Sequence, residues 1–369
     1  MGILRFLLAL SVVAKHFGAI FTTEFVGGKI AVQSFFIISG FYMSLILNEK
    51  YIEKNNSYKL FITNRFLRLY PVYWVVAVAI LLTYIAIVVV LKRPSETLEL
   101  YAYMEHYPFP FVFLIITNTI IFFQELVMFL GLNPENGHLI FTGGFLHPYP
   151  PLYKFLIIPP SWTLSLELMF YLIAPFVLRK GMKTIIGIIT LSFLLRLFIF
   201  YYLGFKNDPW TYRFFPTELM FFLLGNLSYQ LYTRLETWHV NKYINIGILI
   251  FMVAFTIFFL RLPTWQFSFP FSVNEMIYFL FIVLSIPFLF NYFKKNRFDR
   301  EIGELSYPLY ISHMFVCMIC FGLHLTFMEQ SYIIALLSIG FAYVLNRVVA
   351  DPIEKYRQLR LKTRRITTN

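Results

Sequence analysis

The chain has 369 residues, of which 59% are hydrophobic and 14% are charged, whereas about 25% of the residues in a typical soluble domain are charged. The mean hydropathy of +0.69 excludes an ordinary soluble globular protein and predicts a membrane protein. The formal net charge of +12 does not indicate nucleic-acid binding, because the basic residues lie between apolar runs and form no nucleic-acid-binding module.

Apolar runs recur along the whole chain, and most approach the 20 or so residues that a helix needs to cross a bilayer. Lys15 and His16 interrupt the first run, which argues against a cleaved signal peptide. We therefore predict an all-α, polytopic membrane helix bundle of about ten transmembrane helices, forming a single domain over 1–369 with no separate soluble domain. The predicted spans are 3–21, 30–48, 71–91, 162–178, 184–203, 213–231, 243–261, 274–292, 305–327 and 331–349.

The basic residues set the predicted orientation. Segments 49–70, 179–183, 293–303 and the tail after residue 349 are rich in Lys and Arg. The positive-inside rule assigns all four to the cytosol. With ten spans, both termini are then cytosolic.

The apolar run 109–130 could either span the membrane or re-enter it. Because 49–70 and 179–183 are both expected in the cytosol, an even number of crossings must separate them, and two other predicted spans already supply that number. We therefore predict that 109–130 dips into the membrane or lies at its outer surface. It belongs to a long outer segment, 92–161, of a length that is often functional.

Ionisable residues within predicted spans are candidates for function, because burying them in a bilayer is costly. Arg5 and His16 are eleven positions apart on the first span, which places them on one face and about 16 Å apart along the helix. Glu167 lies in the fourth span at a depth similar to that of His16. The pair could act as a base and its orienting acid, or each residue could be satisfied separately within the bundle.

Two arginines precede Pro71. Arg65 and Arg68 are three positions apart on the predicted short helix 57–69, so they lie on the same side of it. Two forked guanidinium groups suit a phosphate-bearing ligand. The alternative is that both side chains reach lipid phosphates at the membrane surface.

His313, Cys317 and Cys320 occur together in the ninth span, but too few further ligands accompany them for a metal site. We expect no metal and no tightly bound cofactor. Ser39 and Gly40 in the second span are small residues of the kind that lets two membrane helices approach closely. This packing role is a plainer interpretation than a serine nucleophile.

Six motifs follow one another along the chain: LRFLLALSVVAKH at 4–16, FFIISGF at 35–41, RFLRLYP at 65–71, SWTLSLELMFY at 161–171, FFLLG at 221–225 and IGELSYPLYISH at 302–313. Through these motifs the chain resembles the acyltransferase 3 family of bacterial membrane proteins, nearly from end to end. The resemblance implies O-acylation, most commonly O-acetylation, of a cell-envelope carbohydrate at the bacterial inner membrane. The implied donor is cytosolic acyl-coenzyme A.

The resemblance also implies roles for particular residues. His16, Glu167 and Arg5 match positions associated with catalysis in the family. Arg65 and Arg68 match its characteristic arginine pair and are expected to bind the phosphates of the donor.

Three further residues are candidates for substrate binding. Trp162 and Tyr171 could stack on a sugar, and His313 closes the last of the shared motifs. One departure concerns the C-terminal region, where the family often has Glu, a basic residue and Pro. This chain has Ala350 and Asp351 before its proline, which leaves the acidic position without an implied role.

The expected partners are acyl-coenzyme A as a donor substrate, a carbohydrate acceptor in free or lipid-linked form, and the lipid bilayer. The alternative function is a transporter or exporter of an acylated or anionic small molecule. Against it, the sequence has no inverted repeat and no matching pair of broken helices. A receptor or scaffold without chemistry would not need the full set of motifs. The motifs leave open the acceptor hydroxyl, the acyl chain, the formation of an acyl-enzyme and the oligomeric state.

Overall fold

The computed structural model describes residues 1–51, 58–133, 135–146, 150–235, 240–265, 267–322 and 330–367. Its main elements are α-helices, and strands β1 (Leu130–Leu132) and β2 (Leu139–Phe141) pair as a short antiparallel hairpin. The helices are α1 (Gly2–Phe17), α2 (Gly27–Glu49), α3 (Tyr58–Val89), α4 (Glu96–Tyr103), α5 (Pro108–Ile120), α6 (Trp162–Val177), α7 (Met182–Tyr201), α8 (Phe215–Leu235), α9 (Lys242–Phe258), α10 (Val273–Phe293), α11 (Arg297–Glu304), α12 (Ser306–Gly322), α13 (Ser331–Leu345) and α14 (Asp351–Thr367).

Within the described ranges, eight helical segments are long and apolar enough to cross a membrane. They confirm the all-α, multi-pass class. Helices α1 and α8 stand where the first and sixth spans were predicted but are not among the eight. Helix α1 has 16 residues, fewer than a straight span needs, and polar residues such as Glu218, Asn226 and Gln230 lower the mean hydropathy of α8. The total of ten spans therefore stays a prediction.

Helix α3 differs from the sequence prediction of a short helix followed by a separate span. It runs for 32 residues straight through Pro71, so the predicted break there is wrong. A proline removes one backbone donor and favours a kink, but it does not have to end a membrane helix. Leu69, Val72 and Tyr73 are buried on both sides of the proline, and this packing holds the two halves in one helix.

The apolar run 109–130 does not form one long helix. Helix α5 has 13 residues, which is about 20 Å of helix against a hydrocarbon core of about 30 Å. The chain then turns through positive φ angles of 68° at Ile121 and 58° at Phe123. This geometry favours the predicted dip over a complete crossing.

The described part of segment 92–161, predicted to lie on the outer side, is folded around Asn118. Its amide nitrogen donates to the hydroxyl of Tyr101 and the carbonyl oxygen of Phe155, both at 3.0 Å. Its backbone carbonyl accepts a 2.6 Å hydrogen bond from Tyr73 of α3. The segment therefore forms a structured cover attached to the bundle.

Glu125, in the same segment, is buried with 4% of its surface exposed and accepts a hydrogen bond from Ser165. Burial raises the pKa of the Glu125 carboxyl from 4.5 to about 7. The folded protein therefore binds this proton more tightly than the unfolded chain does, and stability falls as pH rises through that window.

We expect the stability of Glu125→Gln relative to the wild type to rise by about 1–3 kcal/mol between pH 5 and pH 8. The reason is that the neutral amide avoids the cost of ionising a buried carboxyl. Thermal unfolding in detergent at several pH values measures this. The exposed Glu135 provides the control, because Glu135→Gln should show no such trend, and parallel curves for the two variants would contradict the assignment.

Helices α2 and α8 cross at two glycines. A Cβ atom on Gly40 would lie 1.8 Å from the carbonyl oxygen of Phe222, and one on Gly225 would lie 2.0 Å from that of Ile37. The backbones can touch only because neither residue has a side chain. This confirms the predicted packing role of Gly40.

Gly40→Ala is therefore expected to destabilise the protein by about 1–3 kcal/mol, since the added methyl group must push two backbones apart. Gly187→Ala in α7 is the matched control, because its Cβ would meet no atom within 4 Å, and alanine favours a helix. Thermal unfolding in detergent compares the two, and equal midpoints would argue against a close crossing at Gly40.

A buried ion pair joins α7 to α8. Arg196 donates to Glu218, and both side chains are at most 2% exposed. Gln33 of α2 donates to the same carboxylate at 3.1 Å. Intramembrane charges are tolerated when they are paired in this way, so we assign these three residues to the scaffold.

Candidate functional site

Helix α1 links two ends of the bundle, which we name the Asp299 end and the His16 end after the residues beside its two termini. The Asp299 carboxylate accepts hydrogen bonds from the backbone nitrogens of Gly2 at 2.8 Å and Ile3 at 3.1 Å. A carboxylate is favourable at a helix N-terminus. Gly2 and Gly303 also touch, since a Cβ on Gly303 would lie 2.6 Å from the Cα atom of Gly2. Helix α11 thus fixes the start of α1.

A cavity of about 380 Å³ lies among α1, α2, α3, α6, α12 and α14. At the Asp299 end its wall includes Arg300, Glu304 and Arg357. Toward the His16 end the wall includes Thr163 and Tyr310. The charged groups are thus concentrated at one end of the cavity.

Arg5 and Arg68 both line this cavity. The Arg5 guanidinium lies 5.8 Å from the centre of the Tyr42 ring, a distance typical of a cation–π contact. Arg68 is solvent-exposed at the cavity wall. Two of the predicted cations are therefore placed where they can meet a ligand.

Glu167 and Tyr171 occupy the α6 side of the same cavity. The Glu167 carboxylate accepts a 2.9 Å hydrogen bond from the Ser39 hydroxyl and another from the Tyr171 hydroxyl. Tyr171 is buried, with 1% of its surface exposed. Ser39 thus donates a hydrogen bond to Glu167, a role that its sequence context did not suggest.

Arg65, the partner of Arg68 in the predicted phosphate site, is not part of the cavity wall. Only 3% of its surface is exposed, and its guanidinium lies 5.8 Å from the centre of the Phe61 ring. Its Nε and Nη1 atoms are buried and make no hydrogen bond with the described residues. Arg65 therefore lies behind Arg68 rather than beside it.

His16 lies next to His313. The two ring centres are 5.2 Å apart. His16 is exposed at the last turn of α1, whereas His313 is fully buried. His313 Nδ1 is 2.7 Å from the carbonyl oxygen of Tyr310, so Nδ1 carries the proton and donates it to that carbonyl. The other nitrogen, Nε2, is then an acceptor, and it is buried without a hydrogen-bond partner among the described residues.

The predicted contact between His16 and Glu167 is not formed. Glu167 is hydrogen-bonded to Ser39 and Tyr171 instead, and the aromatic neighbours of His16 are Phe17 and His313. Counting residues from the helix ends estimates depth in the membrane, but it does not show in which direction a side chain points around its helix.

Thr163 and Tyr310 separate the cavity from the two histidines. Their hydroxyl groups are 2.9 Å apart, and the Tyr310 hydroxyl is 3.2 Å from the carbonyl oxygen of Pro160. His313 follows Tyr310 by about one helical turn. The His16 and His313 pair therefore lies just beyond this end of the cavity, although neither histidine is part of its wall.

Trp162 packs against Arg213 at the His16 end. The Arg213 guanidinium lies 4.3 Å from the centre of the Trp162 ring. It is held by Asp208 through a forked contact of 2.5 and 2.8 Å and acts electrostatically on His16. Neither Arg213 nor Tyr310 was predicted from the sequence. Two features of the sequence could have identified them: Arg213 begins the predicted span 213–231, and Tyr310 lies within the motif at 302–313.

Comparison with known proteins gives one match. The sequence model of a family described as an acyltransferase domain matches residues 1–347. That range includes every predicted site residue and stops before α14. No curated protein and no solved structure matches the chain.

Proposed function

The chain belongs to the acyltransferase 3 family, and from this premise we propose that it is a membrane O-acyltransferase that transfers acetyl groups. It moves the acyl group from acyl-coenzyme A to a hydroxyl of an envelope carbohydrate at the bacterial inner membrane. The observation that carries this proposal is the cavity, which has cations at the Asp299 end and reaches Tyr310, about one helical turn before the His313 that contacts His16.

In this proposal the Asp299 end faces the cytosol, as do both termini. The density of basic residues supports the orientation, because cytosolic loops carry the excess of Lys and Arg. Lys294 and Arg300 line this end of the cavity, and Lys50 is within electrostatic reach of Arg357. The donor phosphates bind near Arg68 and Arg5, with Arg65 adding positive charge behind them, and the acyl arm extends toward Thr163 and Tyr310.

His16 is the general base. It accepts the proton of the acceptor hydroxyl as that oxygen attacks the thioester carbonyl carbon. A new C–O bond forms, the C–S bond breaks, and the coenzyme thiolate takes the proton back from the imidazolium. The product pair is an ester and a free thiol, so atoms and charge balance in direct transfer.

His313 and Glu167 have separate supporting roles. His313 Nε2 is an acceptor placed to orient His16 and to stabilise its charged form, which is the role that the sequence suggested for Glu167. Glu167, held by Ser39 and Tyr171, supplies negative charge in the cavity near Arg5 and Arg68. The acceptor approaches at the His16 end. Trp162, predicted to stack on a sugar, is only 5% exposed and is packed against Arg213, so it positions that guanidinium instead of contacting the acceptor.

The test uses the full-length protein in detergent with radiolabelled acetyl-coenzyme A and an extract of envelope glycans. We expect thiol release together with label in a glycan fraction. If acetyl-coenzyme A and longer acyl donors all fail to release thiol, the enzyme proposal is wrong. Uptake of labelled substrate by vesicles without thioester consumption would then favour the transporter alternative.

A further inference from the structure

Helix α14 lies beyond the residues that the family matches, yet it completes the wall of the cavity. It is attached to α3 by Arg360, which donates to Asn64 at 2.8 Å and to Thr63 at 2.9 Å. This attachment turns the first two turns of α14 toward the Asp299 end, where Arg357 joins the cavity wall. The helix is therefore part of the site and more than a tail.

Arg357 is buried to an extent that is unusual for an arginine. Only 5% of its surface is exposed. It donates through Nη1 to Glu354, one turn earlier on the same helix. Its Nε atom is buried and has no hydrogen-bond partner among the described residues. The Nε–H donor of the planar Arg357 guanidinium therefore lacks an acceptor within the described ranges.

Arg357 belongs to a cluster of three guanidinium groups. It acts electrostatically on Arg65 and Arg68, and Arg65 also has buried nitrogens that find no partner in the described part of the chain. Glu354 is the carboxylate that acts on all three. Gathering three like charges around one carboxylate is costly in a poorly solvated site, unless an anion binds there.

The other carboxylates of the cavity wall do not cancel the excess. Asp299 is bound to the backbone of α1, and Asp351 is 3.1 Å from Arg347. Glu167 is bound to two hydroxyl groups deeper in the cavity. Glu304 is exposed and contributes a single charge across the cavity. A ligand that carries several negative charges is the natural complement of this wall.

We propose that Arg357 is a third phosphate-binding arginine of the donor site, and that the Glu354 carboxylate occupies its guanidinium until a phosphate group replaces it. A phosphate offers the oxygen acceptors and the charge that a forked guanidinium binds best. The inference rests on the proposed function only in its choice of ligand, a nucleotide-bearing coenzyme thioester. It assigns a binding role to α14, which lies outside the residues 1–347 that the family model matches.

The test measures binding of coenzyme A to the full-length protein in detergent by isothermal titration calorimetry. Arg357→Gln is expected to weaken binding about 10- to 100-fold, because charge-assisted hydrogen bonds are lost. Glu354→Gln is expected to tighten binding several-fold, because the competing carboxylate is gone. Lys355→Gln removes the same charge from an exposed position on α14 and should change binding less than 2-fold.

Arg357→Gln and Glu354→Gln are expected to change the affinity for coenzyme A in opposite directions. The test therefore remains decisive even if one variant is misfolded. A misfolded protein loses affinity, so tighter binding by Glu354→Gln cannot come from damage. Arg357→Lys keeps the charge but not the fork, and its affinity should lie between those of the wild type and Arg357→Gln. Equal affinities for Arg357→Gln and Lys355→Gln would overturn the proposal, as would weaker binding by a Glu354→Gln protein that unfolds at the wild-type midpoint.

Failure of this inference and failure of the proposed function give different results. Arg357-dependent binding of coenzyme A without acyl transfer to any acceptor would keep the phosphate site and refute the reaction. Acyl transfer by the wild type, with donor binding unaffected in Arg357→Gln, would keep the reaction and refute the role of α14. Inorganic pyrophosphate serves as a competing probe, and its own inhibition constant should be higher for Arg357→Gln than for the wild type.

Discussion

Replacing His16 with alanine is expected to lower acyl transfer by about 10²–10⁴-fold, the usual contribution of a general base. The decrease should appear in kcat and not in the KM for the donor, because the donor phosphates bind at the other end of the cavity. His16 is exposed and ends α1, so the substitution removes little packing. Thiol release from acetyl-coenzyme A in the presence of the glycan acceptor measures the effect.

The matched control is His138→Ala, which removes an exposed histidine of the outer segment. It should leave the transfer rate within about 2-fold of the wild type, as is usual for surface substitutions. Both variants should insert into membranes and unfold at the wild-type midpoint. Substantial transfer by His16→Ala would refute the role of His16 as the base and point to another proton acceptor.

The sequence predicted much of the fold because a bilayer imposes simple rules. Eight of the ten predicted spans correspond to helices that can cross a membrane, since apolar length alone identifies such helices. Counting crossings between basic loops also favoured the dip at 109–130, which agrees with the 13 residues of α5. The break predicted at Pro71 failed because local preference was outweighed by packing on both sides of the proline.

The candidate site was less predictable because its geometry depends on rotation about helix axes. Arg65 and Arg68 are about 60° apart around α3. That difference is enough to bury Arg65 among side chains while Arg68 opens on the cavity. Likewise, Glu167 has the depth expected for a partner of His16 but points toward Ser39.

Residues outside the recognised motifs were harder still to identify. Arg213 and Arg357 look from the sequence like ordinary boundary arginines, of which the chain has many. Their roles depend on neighbours that are far away in the chain, such as Trp162 beside Arg213. Such contacts arise only when the bundle is assembled, and no local pattern encodes them.

The second large effect that we expect is a loss of activity when His313 is replaced. His313→Leu keeps a similar volume but removes the acceptor Nε2 beside His16, and we expect kcat to fall about 10²–10³-fold. The KM for the donor should change less than about 3-fold, because His313 does not line the cavity that holds the donor. His313→Gln retains a side-chain acceptor and should recover part of the rate.

Stability separates a positioning role from a structural one. His313 Nε2 is buried without a partner among the described residues, and burying an unpaired polar atom is costly. Leucine removes that cost but also the Nδ1 hydrogen bond to Tyr310, and the two changes offset each other, so His313→Leu should unfold near the wild-type midpoint while its kcat falls. A lower midpoint, with a loss of rate that matches the loss of folded protein, would show that His313 only supports the bundle. Loss of kcat in a stable variant would show that His313 acts through His16, because those two rings are in contact.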